Sequence, residues 1–325
     1  MGDNKNIAAA PWWELLPHDF YRQADGTTID HLNPVKIATT AGLDRVVRSG
    51  LGAMISAGMA PSVLMRSGMK ADLARGDFYR EMADRGNVDE VLVRPRKVPV
   101  ETARPRRGGF KPKGIPVREL SFNSPFEALH PEMRKPYASL KNNRKSHALY
   151  WSEPSRPRPT LIFLHGYSLS NYAVNSRMFS LPWFYKRGYD ILLVTMPFHG
   201  QRRERLDPFN GYGWFAHGTS HVNESMLQAV SDTRNWVDFL ESRGAPAIGI
   251  SGLSMGGYIS TLMASVDDRL AFSIPNSPVV APVDMALEWW PIGHHSKAMS
   301  TGATTGEFGM EKARRSSTDA MSVEM

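Results

Sequence analysis

Residues 249–258 read Gly249-Ile250-Ser251-Gly252-Leu253-Ser254-Met255-Gly256-Gly257-Tyr258. The stretch ends a short apolar run, "AIGISG" (247–252), which reads as a buried strand. It opens "MGGYISTLMASV" (255–266), whose apolar spacing predicts a helix. A serine between such a strand and such a helix sits in a tight turn that pushes its hydroxyl out of the sheet. The residues two positions away on either side must then be small. Gly252 and Gly256 meet that demand for Ser254, and Gly257 lets the helix start close to the strand. Ser251 fails the same test, because Leu253 stands where its second glycine would be. Ser254 is therefore the candidate nucleophile. The pattern G-x-S-x-G is weak alone, and its weight comes from the strand–turn–helix context.

Working outward from this turn, short apolar runs alternate with longer amphipathic ones. "VRELSF" (117–122) and "HALYWSE" (147–153) predict two antiparallel strands. "TLIFLHG" (160–166), "DILLVTMP" (190–197) and "LAFSIPNSPVV" (270–280) predict further strands. "NSRMFSLPWFYKRG" (175–188) and "ESMLQAVSDTRNWVDFLESRG" (224–244) predict helices. Strands alternating with helices imply a mostly parallel sheet with right-handed crossovers. Functional groups in such sheets collect at the carboxyl ends of the strands.

His165-Gly166 closes one of those strands, where a loop can supply a backbone N–H to a developing oxyanion. The two expected donors are the N–H of Met255, at the start of the helix, and the N–H of Tyr167. His165 is expected to shape the loop rather than to act as a base.

The "LHGY" loop (164–167), "MPFHGQR" (196–202) and "GLSMGGY" (252–258) together give the run from about 117 to 280 a clear resemblance to the α/β-hydrolase superfamily. Within it the chain resembles serine esterases and dienelactone-hydrolase-like members. In "MPFHGQR" only His199-Gly200 and Arg202 are reminiscent of the family's turn at that place. The resemblance implies a sheet flanked by helices and an acyl-enzyme on Ser254 in the hydrolysis of carboxylic esters or thioesters. It also implies the chain order nucleophile, acid, base. Asp284, after the 270–280 strand, is the candidate acid, and His294 and His295 are the candidate bases; Glu288 also lies in that stretch. His199, His217 and His221 precede the serine, against the family order. Only 71 residues follow Ser254, with one strand pattern among them. The expectation is a C-terminally shortened or altered member, weakly active unless the tail folds. The alternative function is a non-catalytic α/β-hydrolase-fold binding or scaffold protein.

The segment 205–225 reads as a long polar–aromatic loop. Its Phe209, Tyr212, Trp214 and Phe215 are candidates for one wall of a substrate pocket, to which Trp289 and Trp290 could add.

The net charge of +7 and the pI near 9.6 are local in origin. "RPRKVPVETARPRRGGFKPK" (94–113) holds eight Lys/Arg and one Glu, so the rest of the chain is close to neutral. The basicity belongs to a Pro- and Gly-rich linker, not to a nucleic-acid surface. Four regions follow: a mostly helical extension (1–93), the basic linker (94–115), the α/β core (116–292) and a loosely attached tail (293–325). Residues 50–65 are apolar but short of a membrane span and interrupted by Pro61. Peripheral membrane contact is assigned, where it occurs, to residues 48–66 or to the linker. The N-terminus lacks a secretory pattern, so a cytoplasmic, at most membrane-associated, protein is expected. There is no cysteine, phosphate loop or dinucleotide fingerprint, and the His294-His295 pair lacks carboxylate partners at metal-binding spacing. No cofactor, metal or nucleic-acid partner is expected. The expected ligand is a small-molecule ester.

Overall fold

The computed structural model describes residues 33–64, 66–106 and 109–280, and the statements below concern these. The chain divides into two compact units, Met1–Val47 and Arg48–Met325. Helix α1 (Pro34–Leu64) begins at a cap in which Asn33 Oδ1 accepts the Val35 N–H at 2.9 Å. The helix runs through Pro61 to Leu64, one turn beyond the break the sequence predicts. Helices α2 (Arg66–Asp84) and α3 (Val88–Val91) follow. No helix among the described residues is long and apolar enough to cross a membrane.

Seven strands form one sheet: β1 (Glu101–Ala103), β2 (Val117–Asn123), β3 (Lys145–Trp151), β4 (Thr160–Leu164), β5 (Asp190–Thr195), β6 (Ile248–Leu253) and β7 (Leu270–Asn276). Their spatial order is β1-β2-β3-β5-β4-β6-β7. β5, β4, β6 and β7 are parallel neighbours, and β3, β2 and β1 extend the sheet as an antiparallel arm. β1 lies inside the basic stretch, where Glu101 pairs with Ser121 of β2. The sequence alternation to helices appears as α4 (Arg134–Ala138), α5 (Tyr172–Met178), α6 (Leu181–Lys186), α7 (Tyr212–Phe215), α8 (Thr219–Ser242) and α9 (Met255–Val266). The helix expected over 175–188 is two helices. Ser180 adopts a left-handed φ of 49° between them, and Pro182 sits in the first turn of α6. The loop expected over 205–225 contains α7 and the first turns of α8.

The central strands β3, β4 and β5 alternate their side chains between two apolar layers. Leu149, Leu161, Phe163, Ile191 and Leu193 pack with Leu181 and Tyr185 of α6 on one face. Ala148, Ile162, Leu164, Leu192 and Val194 pack with Trp236 and Val237 of α8 and Ile259 and Met263 of α9 on the other. Gly249 makes room in β6, since a Cβ there would lie 2.1 Å from the Phe272 ring.

Helix α8 is held by polar contacts from distant parts of the chain. Asp72 of α2 caps its N-terminus, accepting from the Thr219 N–H (2.7 Å), the Thr219 hydroxyl (2.8 Å) and the Ser220 N–H (3.1 Å). Gly218 permits this, because a Cβ there would lie 2.6 Å from the Asp72 carboxylate. Buried Glu224 accepts from the Tyr79 hydroxyl and from the Leu129 and His130 N–H groups, both at 2.8 Å. Further along, fully buried Arg202 pairs with Asp232 at 2.7 Å and donates to the carbonyls of Asn143 and Thr195. Burial raises the Asp232 pKa and the Arg202 charge opposes that rise. Removing one partner strands the other charge in an apolar layer. Asp232→Ala is therefore expected to cost about 3–5 kcal/mol of folding stability, read as a lowered urea midpoint with an unchanged slope.

Candidate active site

Ser254 occupies the single residue between β6 and α9, with φ 52° and ψ −113°. A non-glycine residue there is strained by about 1–3 kcal/mol and persists only where its surroundings hold it. Those surroundings are backbone. The Ser254 N–H donates to the Asn276 carbonyl at 2.9 Å, and the Ser254 carbonyl accepts from the Tyr258 N–H at 2.9 Å. The helix starts so close to the strands that side chains are excluded. A Cβ on Gly252 would lie 2.1 Å from the Gly256 carbonyl oxygen, and one on Gly256 would lie 2.3 Å from the Leu164 oxygen and 2.6 Å from the His165 oxygen. A Cβ on Gly257 would lie 2.9 Å from the Asn276 oxygen. The Ser254 hydroxyl is half-buried and has no hydrogen-bond partner among the described residues. Ser251, by contrast, is engaged: its hydroxyl donates to the Ile274 carbonyl at 2.9 Å and accepts from Asn276 Nδ2 at 3.1 Å.

The loop after β4 lies against this turn. Gly166 is in contact range of Leu253, where an added Cβ would meet the Leu253 oxygen at 3.4 Å. Neither the Tyr167 N–H nor the Met255 N–H has an acceptor among the described residues. Two buried histidines frame the loop. His165 Nδ1 donates to the Gly166 carbonyl at 2.8 Å, so Nε2 carries the lone pair and accepts the Met196 N–H at 3.1 Å. His199 Nδ1 donates to the Pro197 carbonyl at 2.7 Å, and its Nε2 accepts the Ser168 N–H at 3.1 Å. The rings stand edge to face, 5.0 Å apart. Burial pushes His165 down to about 4 and holds His199 well below the ordinary histidine value, with the proximity of the His165 ring disfavouring a charge on it further. Both rings are neutral and have both nitrogens engaged, so neither is free to take a proton from Ser254.

Of the residues singled out in the sequence, Ser254, Met255, Gly252, Gly256, His165, Gly166 and Tyr167 come together at the carboxyl ends of β4 and β6. Asp284, Glu288, Trp289, Trp290, His294 and His295 lie outside the described residues. Trp214 is fully buried and packs against His199, so it is core rather than open pocket wall. Phe215 packs on the Tyr167 ring at 5.1 Å. His221 is buried beside Tyr137 and Phe198. The sequence reading missed Asn276, whose carbonyl and side chain brace both serines. An asparagine at the end of a strand, ahead of Ser277-Pro278, was its one visible signal. Among the described residues no cluster of three or more His, Asp or Glu could hold a metal ion.

Two outcomes are expected. Gly256→Ala forces a Cβ into two backbone carbonyls that cannot rotate away. It should lower the thermal midpoint by several degrees and reduce covalent labelling of Ser254 by a fluorophosphonate. The second concerns pH. The unfolded chain protonates His165 and His199 near 6.5, whereas the folded chain resists until far lower pH. Their contribution to stability is fully present above pH 6.5 and is lost as pH falls toward 4. It falls by up to about 1.4 kcal/mol per pH unit for each ring. Buried Glu224 and Asp232, whose pKa values are raised, act with the opposite sign. The histidine share is therefore read as the difference in urea midpoint against pH between the wild-type chain and His199→Gln, which should show the shallower slope.

Comparisons with known proteins bear on the fold. Residues 161–321 match the sequence model of the alpha/beta hydrolase family. An uncharacterized protein of Mycobacterium tuberculosis, present in strains CDC 1551 / Oshkosh and H37Rv, is 30% identical over 156 residues. That match covers 46% of this chain and 36% of the relative, so the chain spans little more than a third of that protein's length. Among solved structures, an acetyl xylan esterase from Paenibacillus sp. R4 superposes with a TM-score of 0.51 at 16% identity, covering 75% of this chain and 74% of that one. Acetyl xylan esterase 1 from Thermoanaerobacterium sp. JW/SL YS485 superposes at 0.48 and 15%, over 76% and 73% of the two chains. At such identities the likeness concerns fold alone. Its strand order and its strand–serine–helix turn give the chain an α/β-hydrolase fold, and residues 161–321 are similar to the alpha/beta hydrolase family.

Proposed function

We propose that the chain is a serine hydrolase that cleaves carboxylic esters through an acyl-enzyme on Ser254. The observation that carries this reading is the strained Ser254 turn beside a loop and a helix start, where the Ser254 hydroxyl, the Tyr167 N–H and the Met255 N–H have no hydrogen-bond partner among the described residues. In the proposed reaction Ser254 Oγ attacks the ester carbonyl carbon and passes its proton to an imidazole. The carbonyl oxygen becomes an oxyanion held by the N–H groups of Met255 and Tyr167. Collapse expels the alcohol, which takes the proton back from the imidazole. Water then attacks the acyl-enzyme by the same route and releases the acid. The proposed acid is Asp284 and the proposed base is His294 or His295. All three fall within the stretch matched to the family. A small ester such as an acetyl ester is the proposed substrate class, supported by the likeness in fold to an acetyl xylan esterase.

Hydrolysis of p-nitrophenyl acetate and stoichiometric labelling by a fluorophosphonate test the proposal. Ser254→Ala should abolish labelling and lower kcat by at least about a thousand-fold. One of His294→Ala and His295→Ala should match it, with the other near wild type. Equal rates in wild type and Ser254→Ala, with no labelling, would instead leave the fold as a binding or scaffold module.

A further inference from the structure

Two loops meet at the carboxyl ends of neighbouring strands: residues 165–170 after β4 and residues 196–202 after β5. Each sends a histidine into the other. His165 binds its own loop through the Gly166 carbonyl and the opposite loop through the Met196 N–H. His199 binds its own loop through the Pro197 carbonyl and the opposite loop through the Ser168 N–H. The exchange is reciprocal, and all four ring nitrogens are used. Both rings are almost completely buried, at 1% and 0% exposure, so water does not compete for these bonds.

The bonded groups surround one peptide. The Gly166 carbonyl and the Tyr167 N–H belong to the same planar unit and, in a trans peptide, point in opposite directions. A bond that holds the carbonyl therefore fixes where the N–H points. His165 Nδ1–H holds that carbonyl, assisted by the Leu169 N–H at 3.0 Å. On the far side of Tyr167, His199 holds the N–H of Ser168, a residue at the left-handed φ of 64°. Tyr167 is thus clamped on both flanks while its own N–H has no acceptor among the described residues. Drawing on the Gly166 oxygen also polarises the peptide and strengthens the N–H as a donor.

The His199 side is anchored in turn. Phe198, at φ 62°, donates its N–H to Asn143 Oδ1 at 3.0 Å. Arg202 binds the Asn143 carbonyl and the Thr195 carbonyl. Gly211 passes directly over the clamp, where a Cβ would lie 2.6 Å from His199 Nε2 and 2.8 Å from the Tyr167 ring.

We infer that His165 and His199 work as one interlock, two positioning residues that hold the Gly166–Tyr167 peptide with its N–H aimed at the oxyanion site beside Ser254. The inference rests on the serine-hydrolase reading for its catalytic consequence, but the interlock itself is a structural statement with its own readout.

The test uses the full chain and two variants. His199→Phe keeps a ring and removes the acceptor; His199→Gln keeps an acceptor that reaches the Ser168 N–H. Hydrogen exchange read by mass spectrometry follows the peptides covering 165–170 and 195–200. His199→Phe should speed exchange about ten-fold or more in both segments, including the Met196 N–H, which the His165 ring holds and the His199 ring does not. His199→Gln should stay near wild type. With p-nitrophenyl acetate, kcat of His199→Phe should fall about 10- to 100-fold, less than the loss of an entire oxyanion donor. KM should stay within about two-fold, and His199→Gln should recover most of the rate. Exchange that rises in neither segment, or only around 165–170, overturns the interlock. Exchange that rises in both with kcat unchanged overturns the positioning role, as does a parallel change of kcat and KM that glutamine does not relieve. If the wild-type chain neither hydrolyses the ester nor takes the fluorophosphonate, the hydrolase reading and the positioning role fail together. The exchange result then still decides the interlock.

Discussion

The tightest constraint in this chain is backbone against backbone. The first turn of α9 lies so near the ends of β4 and β6 that carbonyl oxygens of Leu164, His165 and Gly256 fill the space where side chains would be. Only hydrogen fits on the Cα atoms of Gly252 and Gly256. With the helix start fixed there, Ser254 has no room to relax its backbone, and its hydroxyl is carried to the edge of the sheet. The same approach sets the position of the Met255 N–H, because that group leads the helix. It sets the β4 loop as well, because the Leu164 and His165 carbonyls are part of the contact. One steric demand therefore places the proposed nucleophile and the loop that faces it.

The cost of this edge is visible in its dihedral angles. Five described non-glycine residues have positive φ, and four of them follow the four parallel strands: Ser168 after β4, Phe198 after β5, Ser254 after β6 and Ser277 after β7. Strain of about 1–3 kcal/mol at such residues must be offset elsewhere. Here the offset is local and polar. Asn276 holds Ser254, His199 holds Ser168, and Asn143 holds Phe198. Asn143 is itself held, donating to Gln228 Oε1 at 2.7 Å and accepting at its carbonyl from Arg202. A buried layer of polar groups on α8 thus underwrites a strained rim one layer above it.

This division explains what the sequence made legible. Strand-to-helix alternation is a local pattern, so β2 to β7, α8 and α9 were readable within a few residues. The Gly252–Gly256 spacing around Ser254 was readable because the steric rule acts over five positions. The rest depends on contacts distant in sequence. The start of α8 was hidden inside an apparent loop because its cap, Asp72, comes from 147 residues away. The split between α5 and α6 turns on one left-handed serine that has no distinctive sequence mark. His199 was noticed only as a fragment of a family-like turn, because its partner, Ser168, is 31 residues upstream on another strand's loop. Asp284, His294 and His295 rest on chain order alone, and order carries no geometry.

The N-terminal helices belong to the same account. From Arg48 onward the chain is one compact unit with the sheet. Two buried carboxylates on opposite sides of one contact explain why. Asp72, on α2, neutralises the exposed amides at the start of α8, and Glu224, on α8, accepts from Tyr79 of α2 and from two amides ahead of α4. Removing α2 would leave the α8 N-terminus uncapped and Glu224 short of a donor, each a buried polar loss of about 1–3 kcal/mol. The contact continues toward the site. Gly58 of α1 lies where a Cβ would touch Phe215 at 3.2 Å, and Phe215 packs on Tyr167. One aromatic ring therefore separates α1 from Tyr167. Helices that read in the sequence as an extension ahead of the core are, physically, part of what backs the loop after β4.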